Sequence, residues 1–108
     1  MAVDLYVFEF GMGVDVHGDD PTKAAIRAVS DAIRHSSLEF IGGVFEKGGK
    51  MFVEVTIGVP GAERLDLEAV KRELPHGEVS VKATEGGLRV PNGDAIIACA
   101  SVAVSIDV

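Results

Sequence analysis

Residues 11–29, "GMGVDVHGDDPTKAAIRAV", contain the clearest helix start in the chain. Asp20 directly precedes Pro21, and an aspartate N-cap followed by proline at the first helical position favours the start of a helix. The spacing predicts a helix from Pro21 to about His35. Its buried stripe has helical periodicity and consists of Ala25, Ile26, Val29, Ala32 and Ile33. The many alanines of this helix should let it approach a sheet closely.

The segments on either side of this helix predict strands. Residues 3–10, "VDLYVFEF", read as a strand with apolar side chains on both faces, and a glycine-rich turn, "GMG", is expected to follow. Residues 35–50 read as a loop with two Gly-Gly pairs and a short extended piece around Phe40. Residues 51–59, "MFVEVTIGV", alternate strictly and place five apolar residues on one face: Met51, Val53, Val55, Ile57 and Val59.

The second half of the chain predicts one more helix and two more strands. Asp66 can cap a helix through Leu74 that faces inward with Leu67, Val70 and Leu74. Residues 78–84 alternate as a short strand, and a turn-rich connection with the hairpin-type pair Asn92-Gly93 follows. Residues 95–108 favour strand over helix because β-branched residues crowd their end.

The predicted order is therefore β-α-β-α-β-β in a single domain over residues 1–108. This order predicts an α+β fold, with one mixed sheet and two helices on one face, as in chorismate-mutase-like or ferredoxin-like proteins. Two helices cover only one face, yet Tyr6, Phe8 and Phe10 should point to the other. The sequence thus predicts a homo-oligomer, a trimer or larger, that buries this second face between subunits.

Composition and charge exclude several classes of protein. The net charge is −7 and no basic cluster exists, which argues against nucleic-acid binding. Cys99 is the only cysteine, so neither an internal disulfide nor a cysteine-rich zinc site can form; its apolar neighbours predict a buried side chain. The sequence begins without a basic leader, and its longest apolar run, about 14 residues, is shorter than a membrane helix requires. We therefore expect a cytoplasmic protein without membrane contact.

The stretch before the first helix has three possible interpretations. Asp15, His17 and Asp19 alternate, so an extended segment would point all three to one side. With Asp20 beside them, they could hold a divalent cation, with Asp15, His17 and Asp20 as the metal ligands. In the simplest interpretation, the acids only cap the helix and complement its dipole.

The third interpretation is an anion-binding cradle. Glycines such as Gly13 would expose backbone N–H groups, and the start of a helix carries a partial positive charge. Thr22 and Lys23 lie in its first turn, and Arg27 follows one turn later. A carboxylate or phosphate would fit this arrangement, although the glycines do not form a nucleotide-binding P-loop. The cradle and the metal could also combine in one site.

A second candidate region is "KATEGGLRVPNGDA", residues 82–95. Glu85 follows a strand and stands beside two glycines that permit close backbone approach, as a general base requires. Arg89 lies nearby as a possible ligand contact. The alternative is an ordinary surface turn.

The run G-x-D-x-H-G-x-D-x-T-K-A-A-x-R-A at residues 13–28, with "VEVTIGVP" and the final "SIDV", resembles a family of short conserved bacterial and archaeal proteins catalogued as uncharacterised. This resemblance covers nearly the whole chain and implies no activity. The order of elements also looks like the chorismate-mutase-like fold, whose trimers bind small anionic ligands between subunits. Ring-opening amidohydrolases use related units, but their Ser–Lys pairs are not recognisable here.

Two functions follow as hypotheses. In the first, the chain binds or transforms a small anionic or cyclic metabolite at a subunit interface, by hydrolysis, isomerisation or tautomerisation if it is an enzyme. His17 and Glu85 would be the catalytic groups, and Lys23, Arg27 and Arg89 would contact the ligand. In the second, the chain is a non-enzymatic module that assembles with copies of itself.

Overall fold

The structure, a computed structural model, describes residues 3–34, 50–74 and 77–107. The prediction of an α+β fold is confirmed. Its strands and helices, with a short 3-10 turn at Ala62–Arg64, are β1 (Val3–Asp15), α1 (Pro21–Arg34), β2 (Lys50–Gly58), α2 (Leu67–Lys71), β3 (Glu78–Thr84), β4 (Leu88–Arg89) and β5 (Ile96–Asp107). The two-residue strand β4 adds to the predicted order. The extended piece expected around Phe40 lies outside the described residues.

The five strands form one mixed sheet in the order β1-β5-β2-β3, and β4 pairs with β5. Only the β2–β3 pair is parallel; β5 runs antiparallel to β1, β2 and β4. The preference for strand over helix near the C-terminus is confirmed. Alternate side chains of β5 are buried under the helices, as period-two geometry requires: Ile96, Ala98, Ala100, Val102, Val104 and Ile106.

Both described helices pack on one face of this sheet, and the core lies between the helices and the sheet. The predicted stripe of α1 is buried at Ala25, Val29 and Ala32 and partly buried at Ile26 and Ile33. All five predicted inward residues of residues 51–59 are buried. No helix among the described residues is long and apolar enough to span a membrane.

The predicted glycine turn at "GMG" is wrong, because β1 continues through it to Asp15. Gly11 and Gly13 instead lie directly beneath α1. A Cβ on Gly13 would overlap the backbone of Ala24 and Ala28, and one on Gly11 would lie 2.9 Å from the Cα of Ala32. These glycines are needed for close contact between strand and helix rather than for a turn.

Helix α2 is shorter than predicted. Asp66 caps it as expected, since its Oδ1 accepts the Ala69 N–H at 3.2 Å. The helix ends at Lys71 rather than Leu74, because the N–H groups of Glu73 and Leu74 donate to carbonyls three residues back, those of Val70 and Lys71, and so tighten its end into a 3-10 type turn. Val70 and Leu74 are buried as predicted, but Leu67 at the exposed first turn is 43% accessible.

The sheet face opposite the helices, which we call the open face, is not covered by any other element among the described residues. Phe8, Phe10 and Met12 project from it and are 50%, 67% and 58% exposed. Cys99 lies on the same face and is exposed, so the expectation of a buried cysteine is wrong. The apolar run around Cys99 suggested burial, but alternate residues of a strand face opposite sides of the sheet, and Cys99 is on the side away from the helices.

Candidate functional site

The segment between β1 and α1 is fixed by a buried carboxylate. Asp15, the last residue of β1, is only 2% exposed. Its Oδ2 accepts the Asp20 N–H at 3.0 Å, and its Oδ1 lies 3.7 Å from the Arg27 guanidinium. Arg27 also donates to the carbonyl of Val14 at 2.6 Å. Asp15 and Arg27 therefore both tie the end of β1 to the start of α1.

The start of α1 is closed by its own residues. Oδ1 of Asp20 accepts the N–H groups of Thr22 and Lys23 at 3.0 and 3.2 Å, as an N-cap does. The Thr22 hydroxyl accepts the Asp66 N–H at 2.9 Å, which links the start of α1 to that of α2. The Lys23 side chain is exposed. This geometry favours the capping interpretation of the acidic stretch.

His17 lies at the exposed tip of the segment. Its Nδ1 is 3.5 Å from Oδ1 of Asp94, and the two side chains are 89% and 56% exposed. The other carboxylate oxygen of Asp94 accepts the Gly18 N–H at 2.9 Å. Asp94, just before β5, thus holds both the imidazole and the loop backbone, and leaves the second imidazole nitrogen toward solvent.

Asp19 connects the same loop to two arginines. It adopts a left-handed backbone conformation with φ 49°. Its Oδ1 lies 2.9 Å from Nη1 of Arg89 and 3.4 Å from Nη2 of Arg64, and its carbonyl accepts from Arg64 at 3.1 Å. The structure therefore brings His17, Asp19 and Arg89 to one end of the sheet, together with Arg64 and Asp94.

Other predicted site residues have different surroundings. Glu85 accepts the Ala62 N–H at 2.8 Å and so anchors the 3-10 turn. Gly13 lies within β1, paired with Ala98 and covered by α1, so it does not contribute to a loop cradle. Asp15, His17 and Asp20 point to separate partners. Across the described residues, no group of three His, Cys, Asp or Glu side chains is placed to hold a metal ion.

Sequence reasoning missed Arg64 and Asp94. Arg64 is 45 residues from Asp19 along the chain, and Asp94 is 76 residues from Gly18. The "PNGD" turn drew attention only to Asn92-Gly93, although an aspartate directly before a strand was a usable signal. The pairing itself depends on the order of strands in the sheet, which places the ends of β1, β4 and β5 together.

The Asp94 carboxylate provides a pH-dependent test of this loop. The hydrogen bond from the Gly18 N–H, with a smaller contribution from His17, lowers the pKa of Asp94. Because the folded pKa is the lower one, the bond stabilises the fold above the unfolded pKa and is lost as pH falls through the folded pKa. We expect the Gly18 amide resonance to titrate below the range of an exposed aspartate. A titration that persists in Asp94→Asn would contradict this assignment.

Comparisons with known proteins agree with this fold. Residues 5–104 match a family described as Conserved hypothetical protein (Lin0512_fam). A crystal structure of an FtsZ-like protein of unknown function from Nostoc punctiforme is similar, with 35% sequence identity and a TM-score of 0.86. That alignment covers 100% of this chain and 99% of the Nostoc chain. No curated protein matches.

Proposed function

We propose that this chain, which belongs to the conserved hypothetical protein family Lin0512_fam, functions as a self-assembling subunit. Its open face would be buried against other copies of the chain. The exposure of Phe8, Phe10 and Met12 on one strand supports this proposal most strongly. Large contiguous apolar patches are uncommon on monomers and mark interaction surfaces. Removing apolar side chains from water is the main favourable contribution to protein association.

The outer edge of β1 is less suited to assembly than the open face. An edge strand can pair with another chain through its unpaired N–H and C=O groups. Here the carboxylate of Asp31 accepts the Met12 N–H at 3.0 Å, and Arg27 donates to the Val14 carbonyl. Both side chains come from α1 and occupy this part of the edge. The open face has no such cover within the described residues.

Light scattering at several protein concentrations tests the assembly. We expect the unmodified chain to have a mass larger than one protomer. Phe10→Lys should yield a folded single protomer because a charge on the open face would have to be desolvated in the interface. Leu67→Lys is the matched control, since Leu67 is an exposed leucine on α2, and its assembly should not change. A single protomer for the unmodified chain at all concentrations would overturn the proposal.

A second candidate function is binding of a small anionic ligand at the loop that contains His17. The exposed imidazole, held at Nδ1 by Asp94, favours it, and Arg64 and Arg89 lie at the same end of the sheet. Because Asp19 already pairs with both arginines, an anion would have to compete with its carboxylate. In this candidate function, residues of a neighbouring subunit would provide the remaining contacts to the ligand.

His17→Ala separates a binding site from an architectural loop. Inorganic phosphate is the probe, and amide NMR shifts of residues 16–20 are the measurement. If the loop is a site, phosphate-dependent shifts should vanish in His17→Ala while the melting temperature and oligomer size stay unchanged. A large loss of stability, or an absence of phosphate-dependent shifts in the unmodified chain, would favour a purely architectural role.

A further inference from the structure

The open face has a ridge of large side chains along one edge. We use "ridge" for Phe8, Phe10 and Met12, which alternate on β1 and share the side opposite the glycines beneath α1. The rings of Phe8 and Phe10 stack with their centroids 6.1 Å apart. Two of the three side chains of the ridge are therefore in direct contact with each other.

A trough of small side chains runs beside the ridge. It consists of the small residues in the middle of the open face on β5 and β2, namely Cys99, Ser101, Ala103, Thr56 and Gly58. Glu54, which pairs with Ala103, and Phe52 continue β2 on the same face and bound the trough at that end. A hollow of about 540 Å³ adjoins it, lined by trough residues and by Phe10 and Met12. Ridge and trough run parallel, because β1, β5 and β2 are adjacent strands.

The register of the sheet aligns Phe10 and Met12 of the ridge with small residues on both neighbouring strands, whereas Phe8 pairs with Ala103, which pairs with Glu54. Phe10 pairs with Ser101, which pairs with Thr56; Met12 pairs with Cys99, which pairs with Gly58. Two sheets that pack face to face keep their strands within about 30° of each other. A ridge laid on the trough of a second copy can therefore place its large groups along a row of small ones, as interdigitated packing requires.

The open face approaches the size that such a contact needs. The strands β1, β5, β2 and β3 are 13, 12, 9 and 7 residues long. At about 3.3 Å per residue and 4.8 Å between strands, they present a flat area of about 650 Å² before side-chain relief is counted. A stable interface buries roughly 800 Å² of accessible surface per partner. The flat area of the whole open face is therefore somewhat smaller than, but of the same order as, one side of a stable interface.

We propose that copies of this chain associate by seating the ridge of one copy in the trough of a neighbouring copy, with Phe10 against Thr56 and Ser101. The proposal rests on self-assembly through the open face and adds the contact that forms it. Phe10 is the most exposed member of the ridge and lies at its centre, where buried aromatic side chains contribute most to association. The opposite face of each sheet remains covered by its own helices.

A size exchange between ridge and trough tests this contact. Phe10→Ala removes the central ring, and Thr56→Phe fills the trough; each should weaken association about tenfold or more, as measured by sedimentation over a concentration series. The double variant Phe10→Ala/Thr56→Phe should regain most of the affinity, because the ring then comes from the trough side. Lys82 pairs with Thr56 on the neighbouring strand β3 and faces the same side of the sheet, but it lies outside the trough. The double variant Phe10→Ala/Lys82→Phe should therefore regain none of the affinity.

The outcomes separate this contact from assembly itself. Recovery in the first double variant alone supports the seating of ridge in trough. Losses that simply add in that variant, or equal recovery in the Lys82 control, overturn it while leaving self-assembly intact. A single protomer for the unmodified chain overturns both. Circular dichroism of each variant shows that its protomer remains folded.

Discussion

Replacing Gly13 by alanine is expected to destabilise the protein by about 3 kcal/mol or more, at the upper end of overpacking effects. The added Cβ would overlap the Ala28 nitrogen and the Ala24 oxygen and lie 2.7 Å from the Arg27 carbonyl carbon. These are backbone atoms of α1, so no rotamer change can make room. The helix would have to move away from the sheet and lose contact with its core. The melting temperature should fall by roughly 10 °C or more.

Gly93→Ala is the matched control for this loss. A Cβ at Gly93 would meet only the Ala95 nitrogen, at 4.0 Å, so its free energy of unfolding should change by no more than about 0.5 kcal/mol. Chemical denaturation of the unmodified chain and both variants measures the difference. A Gly13→Ala protein as stable as Gly93→Ala would show that α1 does not lie against β1 as described.

The sequence predicted the regular elements because their periodicity is local. Strict alternation gave β2 and β3, and the Asp-Pro pair gave the start of α1. The same local view failed at Gly11 and Gly13. Glycine indicates a turn when only neighbours in sequence are considered, whereas here it is required by a helix that returns over the strand from residues 24–32. The information was present in the alanines of α1 but could be used only once helix and strand were placed together.

The candidate site was predicted less completely than the fold. The sequence drew attention to its loop, but residue types alone could not show which acids already accept hydrogen bonds within the fold. Asp15 and Asp20 bind backbone N–H groups within a few residues, while Asp19 and the Gly18 N–H reach partners from the other half of the chain. A run of carboxylates that suggests a metal site when only the sequence is considered can therefore serve to anchor a loop in the folded chain. The strand order decides between such alternatives.

Asp15→Ala should produce the second large effect, a loss of about 2–3 kcal/mol. The buried carboxylate accepts the Asp20 N–H and lies near the Arg27 guanidinium, and hydrogen bonds to charged groups contribute about 1.5–3 kcal/mol. Alanine would leave this N–H without its acceptor, and, among the described residues, only the hydrogen bond from Arg27 to the Val14 carbonyl would still join the end of β1 to α1. Hydrogen exchange should accelerate first at residues 16–23.

Two further variants separate the sources of that loss. Asp15→Asn keeps an oxygen that can accept the Asp20 N–H but removes the charge facing Arg27, so it should lose less than Asp15→Ala. Glu73→Ala removes an exposed carboxylate from the surface and should change the stability by no more than about 0.5 kcal/mol. If Asp15→Asn were as unstable as Asp15→Ala, the charge rather than the hydrogen bond would hold the loop. If both were as stable as Glu73→Ala, Asp15 would not be the anchor. The loop would then depend on the contacts of Asp94 and on those of Arg64 and Arg89 with Asp19.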